Sequence, residues 1–521
     1  MTAWKTSRWR RFMAMPRGVI ITKNDRVPNN NHWKEIARSP TMALTACDPG
    51  PFFGRETAQA STTQKRLMVE HRGEEGAGLT LGLVERALRT RHDRLPDAVR
   101  RVARDCLTDW LGCALAGLSE PASRMVAEAA SEEGGSAQAT LIGRGIRLSL
   151  PQAALANGTA SHALDYDDVN LALPGHLGVA IIPGLLALAE YRDASAADFY
   201  AAFVAGYNLA CRVGTLVEPA HYANGFHATA TLGSLGAAVA CAHLLRLPVA
   251  ETSYALGIAA TQAAGLKAMF GSMAKPLHAG LAAQAGVRSA LLAQKGFVSR
   301  HDALECAQGF AQAHGDDFHV EAALADPEGG HHILNNIFKF HAACFSTHST
   351  IEAVAALRRE RGIRPGDVAR IHIVAGEACA ICNHPSPSTG LEAKFSLRAA
   401  AAFAMLAMDT ARLDTWQRVT EAGVRAMLEQ VHVELVPGMG LSASAVTVHT
   451  RHGEAWRRAA DVGVPLADKT EQSRRVNRKF VAIAAPVVGE ACCERILNQL
   501  AAPDRGSLAG LLHECRESRQ P

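Results

Sequence analysis

From Leu79 onward, apolar residues return every three or four positions, the spacing of helices that bury one face. Leu95-Pro96-Asp97 opens one such run, with proline in the first turn, where its missing N–H would be unpaired anyway. Val99, Val102, Ala103, Cys106, Leu107, Trp110 and Leu111 continue it. The same period predicts helices over 152–164, 179–191, 196–213, 228–245, 250–268, 274–295 and 302–314, punctuated by Gly175, Gly296 and Pro327. After about residue 336 the period shortens to two. Asp367-Val-Ala-Arg-Ile-His-Ile-Val-Ala and Ser444-Ala-Val-Thr-Val-His-Thr alternate as strands do, with a helical stretch from Phe395 to Leu406 between them. From Glu471 the helical period returns through Phe480, Ile483, Ala491 and Ile496.

This order predicts a mainly α chain with an α+β part. A helical domain is expected over 77–335 and 469–515, built from both ends of the patterned region, with an α+β domain at 336–468 inserted between its halves. Residues 1–76 stand outside the pattern. They are rich in Arg, Lys, Asn, Pro and Thr without a sustained period, and are expected to be a disordered or wrongly started extension. Trp9-Arg-Arg-Phe-Met has the outline of a twin-arginine signal, but Pro16 and Arg17 stand where an apolar core should follow.

Composition narrows the function. Aromatic residues make up only 5% of the chain while glycine and alanine abound, which favours helices packed through small side chains. A net charge of +4 without a basic, aromatic-interleaved stripe argues against nucleic acid. The longest apolar run, Leu177 to Leu188, carries Pro183 and falls short of the roughly 20 residues a membrane span needs. The 12 cysteines lie largely in helical apolar runs, and no secretory signal is legible, so the cytoplasm is the expected compartment.

Four stretches carry chemistry. Ser272-Met-Ala-Lys275-Pro-Leu-His278-Ala-Gly280 sets an amine and an imidazole at the start of a small-residue helix. A lysine there is expected to enter a cavity, where a buried ammonium requires an anion; a stem that snorkels to water is the plainer alternative. In Asn157-Gly-Thr-Ala-Ser-His162-Ala-Leu-Asp165-Tyr166-Asp167-Asp168, helical spacing would put His162, Asp165 and Asp168 on one face, able to orient a base or hold a cation. Solvated carboxylates at a helix end are the plainer reading. Pro174-Gly175-His176 then returns a histidine beside them. His227 opens another helix, whose positive end lowers an imidazole pKa and favours anions. Lys339-Phe-His341-Ala-Ala-Cys344-Phe-Ser-Thr-His348 falls at the join between the two patterns, where clefts form.

Other signals fall away. Cys379-Ala-Ile-Cys382 with His384 is a lone C-x-x-C, short of the four ligands of a structural zinc site. Ser272-x-x-Lys275 spells the nucleophile motif of penicillin-recognising serine enzymes, but Tyr222-Ala-Asn224 precedes the serine and Lys469-Thr-Glu breaks the third element. No dinucleotide, phosphate-loop or zinc-protease motif is present.

Together these residues resemble the MmgE/PrpD family, which includes 2-methylcitrate dehydratases and cis-aconitate decarboxylases. The likeness covers about 79 to 500. It runs through Leu95-Pro, Asp109-Trp-Leu-Gly112, Ala116-Gly117, Asn157-Gly and His162-Ala-Leu-Asp165-Tyr-Asp-Asp168. It continues with His176, Pro183, Leu186-Ala-Leu-Ala-Glu190, Phe226-His227, Gly233 and Lys275-Pro-Leu-His-Ala-Gly. Ala293-Gln-Lys-Gly296-Phe, Lys339, Cys344, His348 and Glu392-Ala-Lys-Phe-Ser396 complete it. The resemblance implies a helical domain with an inserted lid, a homodimer, and an active cleft that uses no metal or organic cofactor. It further implies a cleft lined by Asp165, His176, His227, Lys275 and Lys339. Departures stand at Val169, at Lys339-Phe-His341-Ala342, at Cys344 (histidine in the decarboxylases) and at Ala399. These disfavour decarboxylation and leave the substrate open.

The expectation is therefore a cofactor-independent lyase that dehydrates a small hydroxy-polycarboxylate such as 2-methylcitrate. His176, His227, Lys275 and Asp165 would be catalytic, and Lys339, His341, Cys344 and His278 would bind substrate. An epimerase or isomerase on a dicarboxylate, or a silent ligand-binding homologue, are the alternatives.

Overall fold

The structure, a computed structural model, describes residues 78–315, 318–501 and 508–515; the expectation for 1–76 lies outside them. Helix α1 (Asp97–Ala116) follows Pro96 and buries Val99, Val102, Cys106, Leu107 and Trp110 completely. The centre of the helical part is built from α2 (Leu150–His162), α3 (Leu177–Tyr191), α4 (Ala196–Val217), α5 (Ala228–Leu244) and α6 (Ala274–Gln294). Helix α6 packs on α2, α3 and α5, and α4 packs on α5.

Small residues let these helices touch backbone to backbone. A Cβ on Gly158 of α2 would lie 2.7 Å from the Gly280 Cα of α6, and one on Gly280 would meet the Leu155 carbonyl at 2.2 Å. Neither position has room for a side chain. That close approach brings the start of α6, with Lys275, beside the chain that leaves α2.

Beyond residue 336 the chain forms a second apolar cluster. It contains α7 (His348–Arg361), β1 (Val368–Gly376), α8 (Leu397–Met405), β2 (Val431–Val436), β3 (Ala443–Thr450) and β4 (Ala455–Asp461). The strands form one sheet in the order β2-β1-β3-β4, with β1 and β2 parallel and the other pairs antiparallel. Ile371, Ile373, Val446 and Val448 alternate inward, and Phe403 and Trp416 fill the cluster. Cys113, Tyr166 and Ile483 of the helical part join the same cluster, so the two cores meet there.

Helix α9 (Lys469–Val488) returns to pack on α1. Phe480 and Ile483 lie over Gly112, and Asp105 of α1 accepts hydrogen bonds from Gln472 (2.9 Å) and Ser473 (2.8 Å).

Two predicted helices are shorter in the structure, and a third is shifted by two residues. The run over 250–268 stops at Ala260, and Gly265 (φ +150°) turns the chain just beyond it. Of 302–314 only Phe310–His314 is helical; Gln308 (φ +61°) interrupts it, and Glu305 turns aside to hold Thr80. The helix over 152–164 ends at His162, with consequences for the aspartates that follow. Strands β2 and β4 escaped the sequence reading. β4 is an edge strand whose Arg457 and Arg458 face solvent, so the apolar alternation is missing.

Candidate active site

Past His162 the chain does not stay helical. Asp165 adopts φ +49°, a left-handed conformation that aspartate tolerates better than most residues. The turn that follows is anchored by Val169–Asn170, which pairs antiparallel with Asn336–Ile337. This short ladder delivers Lys339 to Asp165. Its ammonium lies 3.0 Å from Asp165 Oδ1 and donates to the Asp165 carbonyl at 2.7 Å. From α6, Lys275 Nζ reaches Asp165 Oδ2 at 2.8 Å. Both lysine side chains are largely buried, while the Asp165 side chain keeps 51% of its surface open. Burial alone would raise its pKa, but Lys275, Lys339 and His176 outweigh that and hold it well below the usual carboxylate range. One carboxylate between two ammonium groups leaves a positive excess at the opening.

Imidazoles surround this pair. The carboxylate that holds them is Asp167, which is fully buried: Oδ1 lies 2.8 Å from His162 Nδ1 and Oδ2 lies 2.8 Å from His176 Nδ1. His176 Nδ1 is equally close, 2.8 Å, to the Asp168 carbonyl, and its Nε2 looks toward Asp165 Oδ1 at 3.7 Å. The His176 N–H donates to Thr229 Oγ1 (3.0 Å), tying this residue to the start of α5, where His227 sits. His227 Nδ1 meets His278 Nδ1 at 3.0 Å, so one of them donates and the other accepts. Phe270 stands edge-on to the His227 ring at 5.0 Å, and Lys275 Nζ lies 5.3 Å from the Phe270 ring centre.

Burial sets the protonation of these rings. It pushes His176 down to about 4, against the opposing pull of Asp167. It pushes His227 down to about 2, aided by His162, His176, Lys275 and His278. His278 is lowered by the same cause. At neutral pH His176 and His227 are therefore uncharged and able to accept a proton.

The structure thus brings Asp165, His176, His227, Lys275, His278 and Lys339 into one cluster. Cys344 lies nearby. The Cys382 thiol donates to it and lowers its pKa, and Lys339 adds to that effect. His341 is placed differently. Thr410 Oγ1 (2.7 Å) and Glu352 (3.0 Å) take both its ring nitrogens, and Arg475 in turn holds Glu352. It lines a cavity of about 1050 Å³ together with Glu352, Arg358 and Arg475, and Asp165, Lys275 and His227 do not line that cavity. His341 is thus engaged in a separate network. Size alone would direct attention to that cavity, but the convergent charges and imidazoles stand around Asp165.

Asp167 was not singled out by sequence. The helical spacing pointed to Asp165 and Asp168 as its face-sharing partners of His162; because the helix stops at His162, the residue between them turns inward instead. Asp168 is buried against the start of α3, where a Cβ on Gly178 would lie 2.2 Å from Asp168 Oδ1. His162, Asp165, Asp167 and His176 also bring possible metal-ligand atoms within 4.8 Å of one another. Two ammonium groups on Asp165 oppose a cation at that point.

Comparison with known proteins accords with this geometry. Residues 82–323 match the MmgE/PrpD N-terminal domain and residues 341–502 the MmgE/PrpD C-terminal domain. Similar proteins include cis-aconitate decarboxylase-like protein oryM of Aspergillus oryzae, 31% identical over 51% of this chain and 58% of that one. Cis-aconitate decarboxylase of Aspergillus terreus is 28% identical over 54% of this chain and 61% of its own. Human cis-aconitate decarboxylase is 25% identical over 77% and 87%. The chain spans about three fifths of the length of the fungal relatives it matches. Matched by both domains in sequence order, the chain belongs to the MmgE/PrpD family.

Proposed function

We propose that this chain is a lyase that removes water from a small hydroxy-polycarboxylate such as 2-methylcitrate. The observation that carries this reading is the convergence of Lys275 and Lys339 on one half-open carboxylate beside uncharged imidazoles. A proton alpha to a carboxylate is weakly acidic, and the aci-carboxylate left by its removal needs fixed positive charge. The two ammonium groups supply that charge and hold the substrate's carboxylates. His227 and His176 share the roles of base and acid: one takes the alpha proton, and the other protonates the departing hydroxyl. An imidazole that is neutral in the empty site becomes a proton donor once substrate carboxylates beside it raise its pKa. The protein is read here as a cytoplasmic homodimer; no described helix is long and apolar enough to cross a membrane.

Decarboxylation is the second reading, favoured by the similar fungal and human proteins, which are cis-aconitate decarboxylases. It calls for a proton donor to the carbanion left by carbon dioxide. Cys344, in place of the histidine found in the decarboxylases, is the departure that counts against it.

The test is proton NMR in deuterated water with 2-methylcitrate, citrate analogues and carboxyl-labelled cis-aconitate. An alkene signal with all carbons retained supports dehydration. Labelled bicarbonate from cis-aconitate establishes the decarboxylase. Deuterium uptake without loss of water or carbon establishes an epimerase, and binding without any exchange a silent homologue.

A further inference from the structure

A buried lysine–aspartate pair lies behind the cluster. Lys479 of α9 is 1% exposed, and its ammonium lies 2.6 Å from Asp109 Oδ1 of α1. The same ammonium donates to the Tyr166 carbonyl and stands 4.0 Å from the centre of the Tyr166 ring. Asp109 keeps it charged against the effect of burial.

Buried ion pairs contribute little to stability on balance, and apolar replacements of similar volume are often neutral or stabilising. The location of this one is therefore the informative point. Lys339 takes the carbonyl of Asp165, and Lys479 takes the carbonyl of the next residue, Tyr166. Two ammonium groups from distant parts of the chain thus hold successive carbonyls of one turn. That turn contains a non-glycine residue at φ +49°, a conformation that persists only where its surroundings enforce it. Asp165, on one side of Tyr166, points to the lysines; Asp167, on the other, points to the imidazoles of His162 and His176.

We infer that Lys479, braced by Asp109, is a positioning residue that clamps the 165–168 turn and so aims Asp165 and Asp167 at the reacting groups. The kinetic consequence rests on the functional reading above, whereas the clamp itself does not, and the experiment separates them.

The variant Lys479→Met/Asp109→Asn removes both charges while keeping side-chain volume, and Asp109→Asn alone serves as its control. Folding is checked by far-ultraviolet circular dichroism. Hydrogen exchange of 162–170 and the NMR titration of His176 then read the turn. The double variant is expected to be folded, with exchange over 165–168 at least about tenfold faster and the His176 titration moved. On the best substrate, kcat falls about tenfold or more while KM stays within about threefold, the split expected when reacting groups are misaligned rather than lost. The single variant takes away the carboxylate that keeps Lys479 charged, so its exchange over 165–168 is expected to fall between those of the wild type and the double variant. A folded double variant with wild-type exchange and a wild-type His176 titration overturns the clamp. If the double variant does not fold, exchange in the unaltered protein decides. The clamp requires the 165–168 amides to open together with α9, and opening of the turn while α9 stays protected overturns it. Faster exchange in a protein without lyase activity would preserve the clamp and sink only the functional reading.

Discussion

At the scale of single residues, the site is a balance of charge. On the proposed reading, removing Lys275 or His227 takes away either the charge that meets the substrate or a proton carrier. Lys275→Ala and His227→Ala are each expected to lower turnover by about 10²–10⁴-fold, and a double variant with undiminished activity would refute the assignment. His176 offers a second check. With its pKa near 4, it stays neutral as the pH falls through 6, where an ordinary histidine gains its proton. Imidazole NMR should show it uncharged at pH 5.5, and a bound, unreactive tricarboxylate should move its titration upward; an unshifted value near 6.5 in the empty protein would contradict the geometry. Lys275 and His278 were legible as polar groups at the start of a small-residue helix, and the family resemblance pointed to Asp165, His176, His227 and Lys339. Asp167 was not, since its placement depends on where α2 ends, and the Asp165 backbone conformation that decides this leaves no periodic trace. The engagement of His341 with Glu352 and Thr410 was equally hidden, because both partners lie at other points of the chain.

At the scale of elements, contact between α2 and α6 depends on missing side chains. Gly280→Ala would drive a methyl group into the Leu155 carbonyl, at 2.2 Å before relaxation. Overpacking of this kind costs about 1–3 kcal/mol, so a lowered denaturant midpoint with an unchanged slope is expected. A loss of activity larger than the loss of stability would follow as well, because α6 carries Lys275 past that contact. Wild-type stability in this variant would show that the two helices can separate freely. The helices were readable because their apolar period is sustained. Their ends were less so: one stops at Ala260 and turns at Gly265 where the apolar pattern runs on, and the exposed edge strand β4 hides its period under arginines.

At the scale of the whole molecule, α9 closes the body by covering α1. Asp105, Asp109 and Gly112 of α1 are met by Gln472, Lys479 and Phe480, so a chain ending before residue 469 leaves buried carboxylates and an apolar face uncovered. Such a truncation is expected to bind a hydrophobic dye and to lose cooperative thermal unfolding; a cooperative, dye-free truncated protein would contradict this. The return of helical period after the strands made a helix in the last segment foreseeable. The residues on which it lands were not foreseeable, since pairing between distant helices is written in shape rather than in spacing.

The position of Lys479 also bears on how the protein is made. A ribosome releases residues 162 to 339, which carry every group of the cluster, long before it releases the lysine that holds the Tyr166 carbonyl. Throughout that interval the 165–168 turn lacks one of its two ammonium clamps, and a buried aspartate on α1 waits for its counter-ion. The 165–168 turn is therefore expected to reach its final arrangement late in translation, when the last long helix emerges and folds back onto the first.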